Sequence, residues 1–470
     1  AETPRFHLHF IRISPGPDDR GRMSLLYGIP PRTIPRIALG NLRVALRAAW
    51  RIPAWGGRGR IVPKATPQED ARGRRRPLPL VLYSQVAWDD VWQRPQEMAA
   101  GLARRGRPVL FLGPVQVHDR AGRYVRAWRE IREEARFPGL CIAAPLIFSG
   151  EYRWPWARAL NRLVLRAEAR RIIALWLNKI GRADLSNLSD RSDRSSGSGA
   201  LGSDFIFLTN SPFCDDLAES LGPRAVIYDV IDDFPAFGWA PRDGRRCEEH
   251  LLRLASRVWT GTGALERAMT PRHSDVRFIP CGVDFERFAA GAAAPEPPEL
   301  SALPRPILGY MGTVSDRLDR DLIAALAQKF PDASLVFVGP VHGSFGPPLE
   351  APNLHFMGLR PPEALAAWVA RFDVALMPFA QTPAARAINP VKTLEYLAAG
   401  CPVVSTPIPD VERFFSDVVE IAPAIESFVG AVERLVHAPD DARRRAGIER
   451  ARRRSWGAMI EEMEAEIDKL

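Results

Sequence analysis

No apolar run in this 470-residue chain approaches the roughly 18 to 20 residues needed to cross a bilayer. The basic, apolar and small-residue succession of a signal peptide is also missing, which leaves the cytoplasm as the expected compartment. Cysteine is scarce. The five residues, at 141, 214, 247, 281 and 401, are scattered, odd in number and without a Cys-x-x-Cys pair. They read as reduced thiols and exclude both a disulfide framework and a zinc ribbon. No Ser-His-Asp, P-loop or metal-ligand spacing appears, so no metal site is expected, and His342 and His355 read as structural.

Acidic residues are rare in one region only. Residues 1–78 hold 16 Lys or Arg against 5 Asp or Glu, whereas the remainder holds 48 against 50. The formal charge of +9 therefore belongs to the terminal segment, and the body lacks the positive field that a nucleic-acid enzyme carries around its groove. No nucleic-acid partner is expected. Within the basic segment, residues 34–55 show a helical pattern. Arg36, Arg43, Arg47 and Arg51 share a stripe of about 80° at 100° per residue, with Leu39, Leu42, Leu46 and Trp50 away from it. A basic amphipathic helix with a Trp reads as a peripheral anchor on an anionic inner membrane face. The alternative is an arm packed on the body. Met23 is an alternative translation start.

What is abundant is α/β alternation. "PLPLVLYSQ", "RPQEMAAGLARRG" and "RPVLFLGP" open a β-α-β unit from residue 77, and apolar strands follow at 205–209, 225–230, 257–262 and 276–280. A Ser/Gly-rich stretch near 181–204 reads as a disordered insertion. Residues 289–306, rich in Ala and Pro, read as a linker and hinge. The alternation then restarts with "PILGYMG", "SLVFVGP", "NLHFMG", "DVALMPF" and "PVVST". The expected fold class is α/β, with two Rossmann-like doubly wound parallel-sheet domains facing a cleft. The expected division is a basic extension at 1–76, a first α/β domain at 77–290, a second at 305–455 and a closing helix at 456–470. Ligands of such sheets bind beyond the carboxyl ends of the strands.

The densest signal is "NPVKTLEYLAAGCPVVST", residues 389–406. Asn389 is a good N-cap, Pro390 suits the first helical position, and Gly400 stands where the helix should stop before a strand. A helix N-terminus in this setting favours a diphosphate. Lys392 adds charge in the first turn, and Glu395, three residues on, is placed to accept from vicinal hydroxyls such as those of a ribose. The bland alternative is an exposed Lys–Glu pair contributing a few tenths of a kcal/mol.

Together with "FDVALMPF", "GYMGTVSDRLDRDLI", "VIYDVIDDFPAFG" and "CGVDFERF", this stretch resembles GT-B glycosyltransferases of the retaining family-4-like group and their teichuronic-acid-type relatives, over about residues 78 to 460. The resemblance implies transfer of a sugar from a nucleoside-diphosphate sugar to a glycan or lipid-linked acceptor in cell-envelope or exopolysaccharide synthesis, with retention and without a metal or other cofactor. It also implies that Glu395 binds the ribose and that Asn389, Val391, Lys392 and Thr393 cradle the diphosphate. Gly312 matches the glycine loop after the first strand of the second domain, with Arg317 and Arg386 as nearby cations. The chain departs from the pattern at Ala387, where the family has its first glutamate, and at Thr313 and Leu318, where a basic pair is common. On the acceptor side the resemblance points to Trp88, Arg94 and Gln96, with a structural role at the helix start as the equal alternative for Arg94. Asp229, Asp232 and Asp233 follow or end an apolar strand and are expected to face the cleft, with Asp232 or Asp233 orienting the acceptor hydroxyl; capping of the next helix or turn is the equal alternative for each. Two rival readings use the same fold: a nucleotide-sugar 2-epimerase, and a non-catalytic partner subunit.

Overall fold

The computed structural model describes residues 77–89, 92–116, 131–147, 154–181, 204–238, 240–347, 349–382 and 391–470. The basic extension, the helix expected at 34–55, most of the Ser-rich insertion, and Arg386, Ala387 and Asn389 lie outside the described residues. The chain separates into two compact units, residues 1–258 with Leu470, and 259–469.

The strands of the first unit are β1 (Leu80–Tyr83), β2 (Val109–Leu112), β3 (Val115–Gln116), β4 (Arg132–Glu133), β5 (Leu140–Ala143), β6 (Leu146–Ile147), β7 (Ile206–Thr209) and β8 (Ala225–Val230); β9 (Arg257–Thr260) straddles the division. Within the unit the main sheet runs β8-β7-β1-β2-β5-β4, with β4 antiparallel to β5. The strands β1, β2, β5, β7 and β8 are buried throughout. That burial on both faces explains why they read as unbroken apolar runs. Helix Arg94–Arg104 carries the β1–β2 crossover. It is started by Pro95 and by Gln96, whose amide oxygen accepts the Gln93 N–H at 3.1 Å. A second helix, Pro155–Lys179, lays Leu165, Ala169, Ile172, Ile173 and Trp176 on the core.

The second unit holds β10 (Val276–Phe278), β11 (Ile307–Met311), β12 (Ser334–Val338), β13 (Leu354–Gly358), β14 (Val374–Met377), β15 (Val403–Ser405) and β16 (Glu420–Ile421). Its six-stranded sheet, in the order β13-β12-β11-β14-β15-β16, is parallel at every pairing. Counted from β11 this is the 3-2-1-4-5-6 order of a doubly wound fold, and the order reverses between β11 and β14. Segment 289–306 contains two short helical turns, Ala290–Ala293 and Pro298–Ser301.

The helix inferred from "NPVKTLEYLAAG" runs over Val391–Ala398 and connects β14 to β15. It stops where Gly400, at φ +77°, donates to the Leu397 carbonyl while Cys401 donates to that of Tyr396, each at 3.0 Å. The carboxyl-terminal helix, Trp456–Ile467, is capped by Ser455.

Candidate active site

Where the strand order of the second sheet reverses, the chain leaving β11 and the helix entered from β14 come together. Gly312, the first residue after β11, has φ +143° and donates to the Val338 carbonyl at 2.8 Å. A β-carbon there would lie 2.2 Å from Cε of Lys392. The stem of Lys392 therefore lies directly along the Gly312 backbone, and only glycine leaves room for it. Gly339, at the end of β12, repeats the device: its missing β-carbon would sit 2.1 Å from the Gly312 carbonyl oxygen. The Tyr396 hydroxyl accepts the Met311 N–H at 2.8 Å, which ties the end of β11 to the helix of Lys392 and Glu395.

Lys392 and Glu395 are half-buried, and among the described residues neither side chain makes a hydrogen bond or an ion pair. Burial pulls the Lys392 ammonium below its ordinary pKa; Glu395 opposes that shift and Arg317 adds to it. Burial also pushes the Glu395 carboxyl up to about 7, with Lys392 and Arg287 pulling the other way. The exposed surface pair that helix spacing alone permits is thus not what the fold builds. Two ionisable groups of opposite sign stand one helical turn apart, half-buried, with no side-chain partner among the described residues, an arrangement that leaves both heads available to a ligand.

The neighbours divide by role. Arg317 is exposed, and its carbonyl accepts the Ala380 N–H at 2.8 Å; its charge reaches Lys392. Thr393 is fully buried with its hydroxyl on the Met377 sulfur at 3.1 Å, so its side chain faces the core and only its main chain belongs to the helix start. Val391 is partly buried. At the departing positions Thr313 is exposed and its carbonyl accepts from the Tyr310 hydroxyl, while Leu318 is buried. His342 is structural, accepting the Ser344 N–H at 3.2 Å. Arg287 was not singled out from the sequence. It lies on the five-residue helix Phe285–Ala289, ion-paired to Asp284 at 3.3 Å, and brings a cation to bear on Glu395. Its only sequence signal is its place within "CGVDFERF".

In the first unit, the residues expected on the acceptor side are engaged by the protein itself. Arg94 makes a bidentate pair with Asp229 at 2.7 and 2.8 Å, with side-chain exposures of 3% and 0%. Asp229, expected to face the cleft, is fully buried near the end of β8 with Arg94 on both carboxylate oxygens. Trp88 is buried and donates to Glu134 at 3.0 Å, and the Gln96 amide donates to the Ala87 carbonyl at 3.1 Å. Asp232 is exposed, and its carboxylate accepts the Asp233 N–H at 2.9 Å. Asp233 is held by Arg245 at 2.7 Å, and Arg245 also reaches the buried Glu248 at 3.3 Å. Among the described residues no group of three or more His, Cys, Asp or Glu is placed to hold a metal ion, and no helix is long and apolar enough to cross a membrane.

Residues 317–463 match a family described as glycosyl transferase-like. Over 269 residues the chain is 28% identical to Bacillus subtilis (strain 168) TuaH, named as a teichuronic acid biosynthesis glycosyltransferase, a match covering 48% of this chain and 68% of the relative. Among solved structures it is similar to an α,α-trehalose-phosphate synthase (UDP-forming) from Burkholderia vietnamiensis, with TM-score 0.56 at 13% identity over 83% of this chain and 97% of that one. It is also similar to Anabaena Alr3699/HepE in complex with UDP, with TM-score 0.53 at 12% identity over 84% of this chain and 100% of that one. At these identities the structural likeness establishes the two-sheet architecture.

Proposed function

We propose that this chain, a glycosyltransferase of the GT-B fold, moves a sugar from a nucleoside-diphosphate sugar to a glycan or lipid-linked acceptor in cell-envelope or exopolysaccharide synthesis. The observation that carries the reading is the half-buried pair Lys392 and Glu395, without side-chain partners among the described residues, with Lys392 lying against Gly312 at the strand-order reversal. That is where doubly wound sheets bind nucleotides. The first turn of helix Val391–Ala398, the Lys392 ammonium and Arg317 hold the diphosphate, whose negative charge grows as the glycosidic bond breaks. Arg386 and Asn389 are assigned to the same end. Glu395 accepts from the ribose hydroxyls. Asp232 or Asp233 orients the acceptor hydroxyl. Retention and independence of a metal or other cofactor belong to this reading, as does a cytoplasmic site of action with residues 34–55 on an anionic membrane face. The B. subtilis relative, named for teichuronic acid biosynthesis, supports the cell-envelope assignment.

Calorimetric titration of the whole chain with UDP, GDP and ADP tests the site. One nucleotide is expected to bind, and Glu395→Ala to lose about 1.5 to 3 kcal/mol, the scale of a hydrogen bond to a charged group. Equal binding by parent and variant would remove Glu395 from the site.

The raised Glu395 pKa adds a pH signature. The ionised carboxylate is the better acceptor from two hydroxyls, so affinity rises as pH passes through about 7 and levels above it. Stability runs the other way. Between the ordinary carboxyl range and about 7 the folded state keeps a proton that the unfolded state has lost, so stability declines as pH rises through that window. Glu395→Gln should therefore flatten the affinity profile that remains after diphosphate titration is subtracted, and should melt higher than the parent at pH 8 but not at pH 5. A variant melting lower at pH 8 would show a carboxylate already satisfied within the fold.

A further inference from the structure

Helix Pro155–Lys179 is apolar on two sides, although the core needs only one. Inward it buries Leu165, Ala169, Ile172, Ile173 and Trp176. Outward, Trp156, Leu160, Leu163, Ala167 and Ala174 fall within a stripe of about 60° at 100° per residue, and each is exposed or half-exposed. Of the seven large apolar side chains exposed among the described residues, Trp156 at 57%, Leu163 and Leu175 at 43% and Trp154 at 37% belong to this helix and its entry. Trp154 and Trp156 stack at its amino end with ring centroids 5.9 Å apart.

The fringe of the stripe is cationic. The helix carries Arg158, Arg162, Arg166, Arg170, Arg171 and Lys179 against the single acid Glu168. Arg158 and Arg162 turn inward to Asp243 and Asp215. Arg166, Arg170 and Arg171 lie within about 60° of the edges of the apolar stripe, and Lys179 lies towards the far side of the helix. Arg171 is tied to Glu168 at 3.1 Å and Lys179 to Glu133 at 2.7 Å, and Arg166 approaches Asp216 at 3.9 Å. Arg170 rests its guanidinium on the Ser220 carbonyl and has no acidic partner in contact among the described residues. Burial and the neighbouring Arg166 charge pull its pKa down, a deficit that an added anion would relieve.

From this pattern we infer that the outer face of helix Pro155–Lys179 is a docking surface for an anionic lipid bilayer, with the Trp154–Trp156 pair and Leu163 in the headgroup–acyl boundary and the flanking cations on lipid phosphates. The charge distribution selects this occupant. Protein interface cores are depleted of charge, whereas an apolar stripe edged by Arg with tryptophan at one end is the composition of an interfacial helix. The inference deepens the proposed transfer to a lipid-linked acceptor and rests on it for its purpose, since a surface beside the acceptor unit would hold the enzyme where such an acceptor lies. It is separate from the anchor proposed at residues 34–55.

The test is co-sedimentation of the full chain with vesicles of phosphatidylcholine alone and of phosphatidylcholine mixed with phosphatidylglycerol. The parent should bind the mixed vesicles preferentially. The surface variant Trp156→Ser with Leu163→Ser should bind them at least about tenfold more weakly, with residues 34–55 intact. Arg170→Glu should lose the preference for phosphatidylglycerol. Nucleotide titration of the same variants should be unchanged, so failure of the membrane surface and failure of the nucleotide site are read separately. Vesicle binding equal to the parent's would overturn the proposal and leave the basic extension as the anchor. A parent that ignores vesicles would overturn it too. So would a parent dimer, seen by light scattering and dissolved by the surface variant, because the occupant would then be a second copy of the chain.

Discussion

Arg94→Ala is expected to lower the stability of the first unit by about 3 to 5 kcal/mol, the cost of breaking a buried ion pair from one side. The size follows from geometry. Both carboxylate oxygens of Asp229 receive Arg94 at 2.7 and 2.8 Å, and Asp229 is fully buried within β8. Removing the guanidinium leaves that carboxylate in the core without its cation. Replacing both residues by leucine should recover most of the loss, because the desolvation cost leaves with the charges. Urea unfolding followed by tryptophan fluorescence reads the effect. With two compact units, two transitions are expected, and only the one belonging to the first unit should move. A loss below about 1 kcal/mol would mean that Asp229 finds other solvation on losing Arg94. Unchanged stability with impaired transfer would return Arg94 to the acceptor side, where the sequence resemblance places it.

That residue shows where legibility ends. Strands covered on both faces announce themselves as apolar runs, so "SLVFVGP" and "AVIYDV" mark β12 and β8 almost to the residue. Helix Val391–Ala398 was equally plain, because its stop at Gly400 rests on backbone chemistry local to the sequence. By contrast β4 is a two-residue exposed strand with no apolar pattern to read, and helices Asp215–Leu221 and Gly244–Leu254 were not singled out. Among the site residues, Gly312, Lys392 and Glu395 could be nominated from motif and spacing. That Lys392 lies on Gly312, and that the Arg287 charge acts on Glu395, are tertiary facts joining segments far apart in the chain. The partners of Arg94 and Trp88 are of the same kind, since Asp229 and Glu134 reach them across the sheet. Local sequence offers a charged residue near a helix start; only packing decides whether it meets a ligand or a buried partner.

Lys392→Met should lower release of nucleoside diphosphate from the bound nucleotide sugar by about 10² to 10³-fold, the loss that follows removal of one preorganised donor from a developing anion. Methionine keeps an unbranched stem along Gly312, where a β-carbon would already meet Lys392 Cε at 2.2 Å, so the change is mainly one of charge. The ammonium has no ion pair among the described residues, and burial depresses its pKa. The sign of the stability effect follows. A lysine whose folded pKa is lowered destabilises the fold while it is charged, and that cost fades as pH rises through the folded value. Without nucleotide, Lys392→Met should therefore be as stable as the parent or up to about 1 kcal/mol more stable at pH 7, with the difference shrinking at alkaline pH. Loss of turnover together with retained or increased stability is the signature of a charge kept for a ligand. A structural lysine gives the opposite pair, a melting temperature that falls and a turnover that survives, and that result would return the nucleotide to some other part of the second unit.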